Sequence, residues 1–207
     1  MERQLDPSAV QVASAPAASA PTSEGRVVGA LNPNIWLRGQ ISEDLLAAFY
    51  EQLEAAPRDQ MLVVEVFTRG GDADIGRLIA SEIKLQQEYF KRGVVFKGRS
   101  TVYSAGITIM SAFPRHARYL SRDASLMIHG RQMEKTLNLS GSIRASMPEV
   151  KSLLAQMQTA LRLEKQDFED LAAGSSLSAD EIWDRSEHNW YLTAGEALDV
   201  RLVEGLF

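Results

Sequence analysis

The chain has 207 residues, 45% hydrophobic and 24% charged, an ordinary globular composition and ample length for one domain with a real core. A net charge of −5 without any Lys/Arg cluster argues against nucleic acid and anionic membrane as partners. The absence of cysteine removes disulfides, thiolate metal sites and cysteine nucleophiles together; it fits a reducing compartment, and the expected location is cytoplasmic.

In chain order, residues 1–25 form an Ala/Pro/Ser-rich tail that cannot bury enough surface to order itself, expected to be a disordered linker or a removable propeptide. Its Ala-Ser-Ala mimics a signal-peptide cleavage site, but a basic n-region is missing and Ser, Gln and Pro interrupt any apolar h-region. No apolar stretch anywhere approaches the roughly 20 residues of a membrane helix. The remainder, 26–207, reads as one domain. VVGALNPNIWLRG (27–39) suggests short strands around an Asn-Pro turn. SEDLLAAFYEQLEAA (42–56) is amphipathic, with Leu45, Leu46, Phe49 and Leu53 on one face and Ser42 as N-cap. MLVVEVFT (61–68) is nearly continuous in apolar residues, as in a strand buried on both faces.

TRGGDADIG then ends that strand and starts a helix in which Ile75, Leu78, Ile79 and Ile83 recur at helical spacing. GVVFKG (93–98) is another strand, TVY continues in strand-like residues, and AGITIMSAF is a short apolar helix opened by Ser104. HARYLSRDASLMIHG (116–130) supplies two more short strands, and 145–174 is a long helical tract stopped by Gly174. SADEIWDRS and TAGEALDV each begin with a capping box, Ser178 with Glu181 and Thr193 with Glu196. Strands and helices alternating through short links imply an α/β domain with parallel crossovers.

Three features can carry chemistry. The double glycine permits close approach to backbone N–H groups, although Gly-Gly after a strand is more often a plain turn, and no Lys-Ser/Thr follows to make it a P-loop. Ser104 either caps its helix or is a nucleophile exposed at a strand-to-helix turn beside unpaired donors. His129 ends an apolar strand, where α/β folds place ligands, while a half-buried structural histidine is the commoner case for one His alone. His116 and His188 are scattered away from it in sequence, so no metal site is expected.

The order Gly-Gly, Ser, His, carried by "TRGGDADIG", "STVYSAGITIMSAF", "SLMIHG" and "NWYLTAGEALDVRLVEGL", resembles the proteolytic subunit of the Clp protease and its relatives on the ClpP/crotonase fold. The resemblance runs from about Ile35 to Leu206. It implies a ClpP/crotonase-like spiral of parallel βαβ units, with 145–174 as the long helix that interlocks two stacked rings. It implies Ser104 as nucleophile, His129 as general base, and the N–H groups of Gly71 and Ala105 as oxyanion hole. The third member falls on Asn189, with Glu187 or Asp184 as alternatives; an asparagine orients a histidine but does not stabilise imidazolium as a carboxylate does. Peptide or unfolded-protein substrate, homo-oligomeric rings and an ATP-driven unfoldase partner follow from the same resemblance, and no cofactor or metal is called for. MEKTLNL (133–139) is the segment that would pair with an extended substrate. Arg69 before the double glycine, Gly130-Arg131 after the histidine and Arg201 near the end depart from the family pattern. The competing readings are a weakly active or inactive ring scaffold, for which Asn189 speaks, and an acyl-CoA enzyme of crotonase type.

Overall fold

The computed structural model describes residues 23–207, so the expected disordered tail lies outside the described residues except for its last three. Those three belong to a helix, α1 (Ser23–Ala30), which replaces the strand expected from residue 27. The chain then runs β1 (Ile35–Arg38), α2 (Glu43–Ala55), β2 (Leu62–Thr68), α3 (Ala73–Glu88), β3 (Val94–Tyr103) and α4 (Ala105–Ser111). A single 3-10 turn (Arg115–Ala117) leads to β4 (Arg118–Leu120) and β5 (Ser125–Ile128). After a stretch without regular structure come α5 (Ile143–Ala172), α6 (Ala179–Ser186), β6 (Trp190–Thr193), α7 (Ala194–Asp199) and β7 (Gly205–Leu206).

Local chemistry sets the boundaries. Ser42 Oγ accepts from Leu45 N–H, and Asp72 Oδ1 accepts from Asp74 and Ile75 N–H at 2.8 and 3.1 Å, so each helix start has a side-chain acceptor for its orphan donors. Both expected capping boxes are formed, at Ser178–Glu181 and Thr193–Glu196. Their reciprocal bonds hold the Glu181 and Glu196 carboxyls below the usual range, the backbone N–H of the cap being the larger cause. Gly174, at φ 78°, follows the end of α5.

One seven-stranded sheet organises the fold, in the order β1-β2-β3-β4-β7, with β5 on β3 and β6 on β5. The sheet forks along β3. Its first part, Phe96–Gly98, pairs with β4, and its last part, Thr101–Tyr103, pairs with β5. Between them Ser100 takes φ 56°, the bend that lets one strand serve two neighbours. All these pairings are parallel except β5 with β6, which is antiparallel and departs from the all-parallel expectation. The consequence for function is positional. β2, β3 and β5 are adjacent and parallel, so Thr68, Tyr103 and Ile128 end at the same edge of the sheet, and the residues just beyond them meet there.

The core takes Phe49 from α2, Ile75, Ile79 and Ile83 from α3, and the inward residues of every strand, while Leu78 points out to solvent. Arg118 is buried in this core. Its guanidinium donates to the carbonyls of Phe113 (2.8 Å), Leu171 (2.9 Å), Asp170 (3.0 Å), Ser111 (3.2 Å) and Leu202 (3.4 Å). Burial lowers its pKa to about 10, against the opposing pull of Asp170, so it stays charged at neutral pH. A fixed cation placed on the carbonyl ends of α4 and α5 ties those two helices together and complements both dipoles.

The 30 residues of α5 span about 45 Å. Only its last third is packed, through Glu164, Asp167, Phe168 and Leu171. Upstream, Ile143, Met147, Val150, Leu154, Met157 and Leu161 are 37–84% exposed. Their spacing of four and three residues in alternation makes one continuous apolar seam with the period of a coiled-coil helix. That face is not core within this chain.

Candidate active site

Ser104 joins β3 to α4 with φ 54° and ψ −118°, a conformation outside the regions an L-residue prefers. The surroundings enforce it. Its N–H donates to Met127 O on β5 (2.9 Å), and its C=O accepts from Ile107 N–H (2.8 Å), so strand and helix hold the peptide units on either side of it. Its side chain makes no capping bond to α4. A serine serving as a helix cap would have extended backbone and accept from the first turn, and the capping alternative therefore fails.

Directly across lies the double glycine. Gly70 has φ +102°, and a Cβ there would stand 2.7 Å from Ser104 Cβ and 3.2 Å from its Oγ. Gly71 has φ +149°, and a Cβ there would sit 2.3 Å from Ile41 O. The loop is pinned on that side by Ile41 N–H to Gly70 O (3.0 Å) and Asp72 N–H to Ile41 O (2.9 Å), and on the other by Gly70 N–H to Thr68 Oγ1 (3.0 Å). Only glycine can occupy this slot between Ser104 and Ile41. The N–H of Gly71 donates to no acceptor among the described residues, and neither does that of Ala105 in the first turn of α4. Free backbone donors of this kind suit a developing oxyanion.

His129 follows the last residue of β5. It lines, with Ser104, Gly71 and Ala105, a cleft of about 980 Å³. The far wall is the inner face of α5, where Ala155, Thr159, Ala160 and Leu163 present small or apolar side chains. Four of the five predicted site residues thus share one cleft. The fifth, Asn189, is exposed in the loop before β6 and lies with His129 along an adjoining depression of about 500 Å³, together with Asp184, Glu187 and His188. Neither Asn189 nor either acidic alternative bonds the imidazole, whose Nδ1 is buried without a partner. His116 is exposed on the 3-10 turn and does not line the cleft.

Around the histidine's exit, sequence reasoning noted Arg131 only as a departure from the family pattern and did not single out Asp74, Arg77, Glu164 or Asp167. Arg131 pairs with Asp74 (2.8 Å) and Asp167 (3.8 Å), and Arg77 also pairs with Asp167. Glu164 accepts from Arg131 N–H. Burial pushes the Asp167 carboxyl up, with Arg77 and Arg131 pulling the other way. The available signal was Glu164 and Asp167 standing on the same face of α5 as Phe168 and Leu171, acidic groups on a buried stripe that need partners. The post-histidine segment 131–142 has no regular structure and is mostly exposed.

No family model matches the chain. It is 23% identical over 175 residues to the ATP-dependent Clp protease proteolytic subunit 2 of Treponema pallidum (strain Nichols), covering 83% of this chain and 80% of that protein. Its fold matches that of a ClpP1 mutant from Listeria monocytogenes, in which an asparagine is replaced by aspartate, with a TM-score of 0.61 and 21% identity over 84% of this chain and 90% of that one. The chain is accordingly similar in sequence to a Clp protease proteolytic subunit and shares the α/β fold of ClpP1.

Proposed function

We propose that the chain is a serine peptidase of Clp type that cleaves extended or unfolded polypeptide. The observation that carries this is Ser104, held at positive φ on a strand-to-helix turn, in one cleft with His129 and two free backbone donors. A positive φ at a serine costs of order 1–3 kcal/mol, and such strain is retained where it aims a functional group.

The chemistry follows from the arrangement. With Nδ1 buried, Nε2 is the ring nitrogen left to face the cleft. It takes the Ser104 hydroxyl proton as Oγ bonds to the substrate's carbonyl carbon. The carbonyl π pair moves onto oxygen, and the N–H groups of Gly71 and Ala105 receive that oxyanion. The imidazolium then gives its proton to the leaving amine as the C–N bond breaks, leaving an acyl-serine. Water attacks this ester by the same route in reverse roles and releases the acid. Asn189, which lies with His129 along the adjoining depression, is the orienting partner in this reading. An amide there supplies direction without charge, and Asp-to-Asn exchange in a serine triad costs about four orders of magnitude in turnover. The proposed enzyme is therefore slow.

The apolar seam of α5 supports assembly into stacked rings that enclose the clefts, since closed symmetry buries each subunit's sticky face. An ATP-driven unfoldase would then be the source of extended substrate. A second reading, a ring-forming scaffold with little or no activity, is favoured by one observation: the unpartnered Nδ1 of His129.

The test is hydrolysis of a fluorogenic peptide by the assembled protein. Slow turnover that Ser104→Ala abolishes supports the peptidase. Turnover that survives Ser104→Ala, or none in an assembled and folded wild type, overturns it.

A further inference from the structure

Resting on that peptidase reading, we infer that Arg131 is a positioning residue: it clips the strand end that carries His129 to the helix following the glycine donors and to α5. The problem it solves is visible in the sheet. The β5 ladder stops at Ile128, paired with Trp190, and the chain beyond His129 has no regular structure as far as α5. A general base placed at the last rung of a ladder needs its exit held, or the imidazole drifts relative to the serine.

The exit is held at two successive residues. Gly130 N–H donates to Ser186 O at the end of α6 (3.0 Å), and Arg131 N–H donates to the Glu164 carboxylate on α5. The Arg131 side chain then reaches back across the cleft. It donates to Ala73 O (3.3 Å) and Asp74 Oδ1 (2.8 Å), in the first turn of α3, and it faces Asp167 Oδ2 on α5 (3.8 Å). α3 begins immediately after Gly70-Gly71 and Asp72, so one guanidinium spans the base side and the oxyanion side of the same site.

The partners are unequal. Arg131 is 15% exposed and Asp167 11%, whereas Asp74 is 82% exposed. An exposed carboxylate holds an arginine weakly, because water screens the pair. The part-buried contacts to Ala73 O and Asp167 therefore carry the clip, and Asp74 only decorates it. Lysine at this position keeps the charge but lacks the rigid, planar guanidinium whose two terminal nitrogens are divided here between Asp74 and Ala73 O.

The experiment measures the rate at which a small fluorophosphonate modifies Ser104 in the assembled full chain, a reagent too small to depend on peptide binding. Alongside it, peptide kcat and KM, the unfolding midpoint and the NMR signals of the His129 ring are recorded. A displacement of about 1 Å between reacting groups costs on the order of a hundredfold in rate. Arg131→Gln is expected to slow modification and kcat by about tenfold to a hundredfold, with little change in KM and shifted His129 signals. Arg131→Lys, which keeps the charge and guards against a variant that fails to fold, is expected to lie between Gln and wild type at an unchanged midpoint. Asp74→Asn is expected to stay near wild type. Wild-type modification rates and unmoved His129 signals in Arg131→Gln and Arg131→Lys would overturn the clip and leave the peptidase reading intact. A wild type that is never modified would overturn both.

Discussion

The strained turn at Ser104 makes an unusual stability prediction. Replacing serine by alanine removes the hydroxyl but keeps a Cβ at φ 54°, ψ −118°, so the backbone strain stays. Replacing it by glycine removes the Cβ and with it the strain, of order 1–3 kcal/mol. Glycine has its own cost, roughly 0.5–1 kcal/mol, because the unfolded chain gains freedom. The balance favours Ser104→Gly over Ser104→Ala by about 0.5–2 kcal/mol. For a domain of this size that is about 1–8 °C in Tm. Both variants should lack hydrolytic activity, so the difference isolates the backbone. The assay is urea and thermal unfolding of the two variants at the same protein concentration, so that any concentration-dependent contribution is equal in both. An alanine variant equal to or more stable than the glycine variant would refute the claim that the turn is strained.

Asn189→Asp is expected to raise peptide hydrolysis, because a carboxylate near His129 favours the imidazolium formed as Ser104 attacks; steady-state kinetics with both variants checks it, and a flat result with high wild-type activity would transfer the role to Glu187 or Asp184. Leu154→Glu combined with Met157→Glu is expected to reduce the assembled mass by light scattering while leaving the subunit fold intact by circular dichroism. Each buried Leu or Met contributes roughly 1.5–3 kcal/mol to an interface, and both lie on the exposed seam of α5. Arg118→Met is expected to lower stability by about 4 kcal/mol or more, since carbonyls of Ser111, Phe113, Asp170, Leu171 and Leu202 lose their shared donor in the core. Equilibrium unfolding in urea measures that loss.

Local rules carried the sequence reading wherever one residue type has one dominant use. Ser178, Thr193, Ser42 and Gly174 each signalled a helix boundary through capping chemistry or φ freedom, and each stands at one. The convergence of Gly71, Ser104, Ala105 and His129 was legible because parallel crossovers place strand ends on one edge, which is a rule of topology rather than of any residue. What stayed hidden needed knowledge of the third dimension. Residues 27–30 have the Val-Val of a strand but pack as a helix beside β7, with Lys97 donating to Gly29 O and Leu31 O below them. The α5 seam has the same apolar periodicity as a core face, and periodicity does not reveal that this stretch of the helix lies outside the chain's core. Arg118 gave no signal in the sequence and Arg131 only a departure from the family pattern, because a buried cation is recognised only by the carbonyls and carboxylates brought to it from distant segments.

The central claim is that Ser104 is an activated nucleophile, and the most direct measurement is intact mass after exposure of the assembled wild-type protein to a fluorophosphonate, with the modified residue located by peptide mapping. The account predicts one adduct per chain, on Ser104, suppressed by His129→Ala and absent in Ser104→Ala. No adduct on an assembled and folded wild type, or an adduct on another serine, would contradict it.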